Sequence, residues 1–151
     1  MQVLNMGMNE VKKCIETIMT EMSLERYIPD HLIGIQLGGL CPALMISKKL
    51  REPHIHTVEM GAMGEPIFKE DSFEGIVKAR EILLIDDICD SGKTLQKTYD
   101  HFKHYYPEYR ISTAALVYKI HTAQFAPDYC GLASESNAWV QFPWEWNDET
   151  Y

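Results

Sequence analysis

Three absences narrow what the 151-residue sequence can be. Its cysteines are not paired: Cys14, Cys41, Cys89 and Cys130 form no C-x-x-C motif and no zinc-ligand spacing. Neither a disulfide framework nor a structural zinc site is expected, and scattered thiols suit a reducing cytosol. No apolar run approaches membrane length, and the first residues carry no basic stretch leading into an apolar core, so the expectation is a soluble, cytoplasmic protein. There is no basic excess either: 14 Lys and Arg stand against 22 Asp and Glu, a net charge of −8. So acidic a chain is not expected to bind nucleic acid or an anionic membrane. Its long-range field would not draw in an anionic ligand, so a phosphate would have to be held locally by amides, hydroxyls and a cation.

The length fits one domain, residues 1–151, with a proper core, and 46% hydrophobic content is ordinary for a folded protein. The most informative stretch is Ile82-Leu83-Leu84-Ile85-Asp86-Asp87-Ile88-Cys89-Asp90-Ser91-Gly92-Lys93-Thr94-Leu95. Four consecutive aliphatic residues read as a strand buried on both faces, as in a parallel sheet. Two carboxylates follow, then a polar turn, then a helix on which Leu95, Tyr99, Phe102 and Tyr106 recur at helical spacing until Pro107. The turn amides and the helix N-terminus would converge on a phosphate, with hydroxyls from Ser91 and Thr94. The acidic pair is placed for a divalent cation or for ribose hydroxyls. Gly92-Lys93-Thr94 resembles the end of a P-loop, but the glycine required five residues before Gly92 is Asp87.

A second strand–loop–helix unit runs through Leu32-Ile33-Gly34-Ile35, Leu37-Gly38-Gly39 and a helix from Pro42 to Arg51, with glycines where a ligand could approach the backbone. Before it, residues 9–24 form an amphipathic helix with Asn9 as N-cap. After it, His54–Met60 alternates like an edge strand, with His54 and His56 on one face and no third metal ligand in view, so solvent-facing histidines are expected. Gly61–Gly75 holds three glycines and a proline and reads as a long loop or loose hairpin, a lid in many compact domains. A further strand runs from Ser112 to Lys119 and would bring that lysine to the crevice outside the strand ends. Asp128–Ala133 is a short strand, and the aromatic tail Trp139-Val140-Gln141-Phe142-Pro143-Trp144-Glu145-Trp146 must be packed or covered.

The central stretch resembles the phosphoribosyl-pyrophosphate (PRPP) motif of type I phosphoribosyltransferases, in which a hydrophobic run leads into two acidic residues and a phosphate loop. Over residues 32–146 the closest resemblance is to the 6-oxopurine enzymes of xanthine–guanine and hypoxanthine–guanine type. The resemblance implies an α/β fold with a central, mainly parallel sheet flanked by helices, and a small C-terminal hood over residues 128–151. It implies that Asp86, Asp87, Asp90, Ser91, Gly92, Lys93 and Thr94 bind PRPP, with Asp86 and Asp87 near Mg²⁺ and Asp90 as the general base. Leu37-Gly38-Gly39 matches the pyrophosphate loop, but Leu37 stands where relatives carry arginine or lysine. Lys119 matches the lysine directed at the purine O6. By position in the hood, Trp139 would stack on the base, the Val140 backbone would read its N1/N2 side, and Glu145 would take the acidic position. The Ser-Tyr pair of several relatives' lids is absent. The implied protein is a cytoplasmic homo-oligomer, dimer or tetramer, that transfers phosphoribose from PRPP to guanine, hypoxanthine or xanthine. Two other readings are a non-catalytic PRPP or nucleotide sensor of the same fold, and a phosphohydrolase using the acidic pair.

Overall fold

A computed structural model describes residues 1–51, 53–67 and 81–145. The chain order is β1 (Val3–Asn5), α1 (Met8–Leu24), β2 (His31–Ile35), α2 (Leu40–Ser47), β3 (His54–Met60) and β4 (Pro66–Ile67). It continues with β5 (Glu81–Cys89), α3 (Lys93–Tyr105), β6 (Arg110–Lys119), β7 (Tyr129–Ser134) and β8 (Trp139–Gln141). Six strands form one sheet in the order β4-β3-β2-β5-β6-β7, and β1 pairs with β8 in a separate two-stranded ribbon. All pairings are parallel except β3 with β4. The mainly parallel α/β sheet expected from the apolar runs is present.

The core explains why the central strands lack alternation. Along β5, Leu83 and Ile85 pack with Val11, Ile15, Ile18, Ala43 and Ile46 of α1 and α2. Ile82 and Leu84 point the other way, to Leu95 and Phe102 of α3. With helices on both faces, the stretch Ile82–Ile85 is apolar on both sides. The hood segment belongs to the α1/α2 side, where Val140 and Phe142 are buried and Trp144 packs against them.

Several boundaries differ from expectation. The α1 N-cap is Gly7 rather than Asn9, and α2 stops at Ser47 rather than Arg51. The β5 strand continues through the acidic pair to Cys89, because Asp86, Ile88 and Cys89 keep their pairing with Ala115, Val117 and Tyr118 of β6. A continuous apolar run understates a strand whose last turns carry its chemistry. The lid expected over Gly61–Gly75 begins as a hairpin, with Met60 opposite Pro66; residues 68–80 lie outside the described residues, as does Trp146. His54 and His56 do share a face, but they are not alone there. His31 of β2, directly opposite His54, stacks on both rings at 4.8 and 4.9 Å, and its Nδ1 lies 2.7 Å from His56 Nε2.

Candidate active site

Strand order reverses between β2 and β5: β3 lies on one side of this pair, β6 and β7 on the other. Open parallel sheets bind ligands outside the strand C-termini at such a switch point. Two loops meet there. The first, Gln36–Gly39, follows β2 and includes a cis Gln36–Leu37 peptide. Its glycines are required by close approach: a Cβ on Gly39 would strike the Ile85 carbonyl, and one on Gly38 would strike the Asp87 carboxylate. Gly39 N–H donates to Ile35 O (2.8 Å), whereas the amides of Leu37 and Gly38 have no acceptor among the described residues. The Leu37 side chain is 78% exposed. The first loop therefore offers two amides rather than three, and no cation.

The second loop follows β5. Gly92 adopts φ +81°, the left-handed region that favours glycine, and Phe125 lies directly over it, so a side chain there would be both strained and obstructed. The amides of Thr94 and Leu95, in the first turn of α3, have no acceptor among the described residues. The Lys93 amide donates to Ser91 Oγ (3.3 Å). Amides without an acceptor at a helix start are an arrangement that can take an anion.

The acidic pair sits between the two loops. Burial, then the negative charge of Asp87, pushes the Asp86 carboxyl well above the usual carboxylate range, while the Asp87 N–H donates to Asp86 Oδ1 (2.9 Å). Asp87 is itself buried. Two crowded carboxylates are what a divalent cation would relieve. No group of three or more metal-ligating side chains is present among the described residues. A cation held here would take one or two carboxylates and complete its shell from ligand and water, the donor set that suits Mg²⁺. The neighbouring Cys89 thiol is pushed up to about 11 by burial and by Asp86 and Asp90, so it is kept neutral and unreactive.

Beyond the pair, Asp90 and Lys119 come together. Lys119 Nζ lies 3.7 Å from Asp90 Oδ2, with the lysine side chain 7% and the aspartate 51% exposed. Three residues that the sequence pattern did not single out support this corner. Thr122 Oγ donates to Asp90 Oδ1 (2.9 Å), its hydroxyl also lying 3.0 Å from Asp90 O; Gln124 N–H donates to Ser91 O (2.9 Å); and Phe125 O accepts the Cys89 thiol (3.2 Å). The 120–125 loop after β6 thereby braces the loop after β5.

In the hood, Trp139 is 51% exposed and pairs with Val3 of β1. Trp139 N–H donates to Gln2 O, and Gln141 O accepts from Met6 N–H. Backbone groups alternate along a strand, so the Val140 amide and carbonyl face away from β1, on the open edge of β8. Trp139 makes no hydrogen bond or ring contact with Asp90 or Lys119 among the described residues. Glu145 closes a turn: its Oε2 accepts from Phe142 N–H (3.0 Å), and its own amide donates to Phe142 O (3.0 Å). Trp144 stacks on Phe142 (5.1 Å, 5° between planes) and donates its indole N–H to Asp87 Oδ2 at 3.1 Å. Trp144 thus packs against the core and also reaches the acidic pair.

The family model for a phosphoribosyl transferase domain matches residues 7–148. The chain is similar to the xanthine-guanine phosphoribosyltransferase of Cereibacter sphaeroides, at 28% identity over 123 residues, covering 76% of this chain and 68% of that protein. Its fold superposes on a purine phosphoribosyltransferase from Pyrococcus horikoshii with a TM-score of 0.78 (25% identity; 97% of this chain, 96% of that one). It also superposes on the xanthine-guanine-hypoxanthine phosphoribosyltransferase of Helicobacter pylori, with a TM-score of 0.74 (20% identity; 95% and 92%).

Proposed function

The chain belongs to the phosphoribosyl transferase family, and from that premise we propose that it transfers the 5-phosphoribosyl group of PRPP to a 6-oxopurine, releasing pyrophosphate. The observation that carries the purine assignment is the Lys119–Asp90 pair. It sets a buried ammonium and a carboxylate 3.7 Å apart at the strand ends. A 6-oxopurine presents O6 and a ring nitrogen side by side, one suited to a donor and the other to a proton acceptor. In this reading the half-exposed Trp139 ring and the Val140 backbone edge would supply the stacking face and edge contacts for a flat heterocycle.

In the forward reaction a purine ring nitrogen forms a bond to C1′ of the sugar while the C1′–O bond to the diphosphate breaks, and pyrophosphate leaves with the electron pair. Asp90 accepts the proton that the purine loses, a general-base step worth ~10² to 10⁴ in rate. The Leu37 and Gly38 amides bind the diphosphate, and the loop Ser91–Thr94, with Lys93, binds the 5′-phosphate. Asp86 and Asp87 orient the ribose hydroxyls and favour the cationic sugar centre of the transition state. They would also hold Mg²⁺, which supplies charge neutralisation on the departing diphosphate. Glu145 supports the base pocket by closing the turn below Phe142. Holding both substrates in one crevice lowers the entropic part of the barrier.

The test is pyrophosphate release with PRPP and, separately, guanine, hypoxanthine, xanthine and adenine. Turnover with at least one 6-oxopurine is expected. PRPP binding without release from any base would favour a sensor of the same fold instead.

A further inference from the structure

Asp87 is the point at which three separate segments of the chain meet. It lies near the end of β5; its carboxylate rests against Cα of Gly38 in the loop after β2; and its Oδ2 accepts the indole N–H of Trp144 from the hood at 3.1 Å. It is 8% exposed, a carboxylate nearly removed from water beside a second acid. Such a group needs a donor, and a charge-assisted bond from a neutral indole supplies one without cancelling the charge. Indole N–H can only donate, so it holds the carboxylate by one oxygen.

Nothing about core packing requires this arrangement. Phenylalanine could stack on Phe142 as well as Trp144 does, so the nitrogen marks a role beyond filling space. The indole's own position is fixed beforehand. The ring is parallel to the buried Phe142, and the turn that carries it is closed by two bonds between Glu145 and Phe142, one through the Glu145 carboxylate and one through its amide.

Resting on the reading of this crevice as a PRPP site, we propose that Trp144 is a positioning residue for Asp87, and that the C-terminal hood, through this one hydrogen bond, is part of the PRPP subsite. A carboxylate pinned against Gly38 and Trp144 has lost its rotational freedom before substrate arrives, so none need be lost on binding. The hood then serves both substrates: the Trp139–Val140 strand faces the base, and Trp144 sets the acid that faces the sugar.

The experiment is calorimetric titration of Mg²⁺·PRPP into wild type and Trp144→Phe, together with KM for the purine and the melting temperature of each. Trp144→Phe should keep the stack and lose only the donor. PRPP affinity should weaken about tenfold, the size of one hydrogen bond to a charged group, while KM for the purine and the melting temperature hardly move. In an Asp87→Ala background the same substitution should add nothing further, since the indole acts only through that carboxylate. Unchanged PRPP affinity in a stably folded Trp144→Phe overturns the proposal. So does a joint loss of PRPP affinity, purine KM and melting temperature, which would reduce Trp144 to packing. A wild type that binds no PRPP would overturn the underlying reading, and this proposal with it.

Discussion

The ammonium of Lys119 and the carboxylate of Asp90 stand 3.7 Å apart, with the lysine buried and the aspartate open to the crevice. The lysine side chain is buried, so packing fixes its position, while the aspartate remains open to a substrate. Thr122 fixes the other carboxylate oxygen. Asp90→Asn should therefore retain PRPP binding, because an amide can still accept from Thr122, but lose ~10² to 10⁴ in turnover, because it cannot take a proton. Stopped-flow turnover measured beside PRPP titration checks both halves. Full turnover in this variant would remove Asp90 from the mechanism.

Base choice follows from the same pair. The Lys119 ammonium has three donors and no acceptor. Adenine would present an amino donor where a 6-oxopurine presents O6, leaving two donors opposed in a desolvated corner at roughly 1–3 kcal/mol each. Wild type should discriminate against adenine by ~10² or more, and Lys119→Met should lose most 6-oxopurine activity and flatten the preference. Efficient use of adenine by wild type would contradict both this role for Lys119 and the substrate class.

Leu37 tests the other end of the crevice. Its side chain is exposed, and the loop holds two amides without an acceptor, and no cation, among the described residues. Leu37→Arg should tighten pyrophosphate binding by on the order of 1 kcal/mol, the scale of a partly exposed charge pair. Weaker binding would mean that the loop takes a different ligand or presents its amides elsewhere.

The parts of this site that local pattern reveals are those whose partners are neighbours in sequence. The strand through Ile82–Ile85, the turn at Gly92 and the helix after it are legible as elements because they follow one another directly. What pattern cannot show depends on strand register. Cys89 opposite Tyr118 is the pairing that brings Asp90 beside Lys119, and the bond from Thr122 to Asp90 follows from it. The Trp144–Asp87 bond spans 57 positions and requires the hood to fold back over the sheet. The strand β1 is too short and too exposed to leave a periodic signal, and it exists because β8 pairs with it. The histidine cluster was half visible. His54 and His56 share a face by alternation, but His31 joins them only because β2 and β3 are parallel neighbours.

That cluster, at the opposite end of the sheet from the crevice, should govern acid stability. His31 is 3% exposed and stacked between two other histidines. Burial first, then the charges of His56 and His54, lower its pKa from 6.5 to about 4, with Asp30 opposing. Above pH 6.5 His31 is neutral in both the folded and the unfolded chain and contributes no pH dependence. Between 6.5 and 4 the unfolded chain takes up a proton that the folded chain excludes, so stability falls as pH falls, and the loss levels off below about 4. At 1.36 kcal/mol per unit, the full loss from this group is about 3 kcal/mol. His31→Phe keeps an aromatic ring in the stack and cannot titrate. Urea unfolding at steps from pH 7.5 to 4.5 should show wild type losing more stability than His31→Phe, the gap growing below pH 6.5 with a slope near one proton. Carboxylates away from His31 titrate in both proteins and cancel in that difference. Parallel curves for the two would show that the proton is taken up elsewhere.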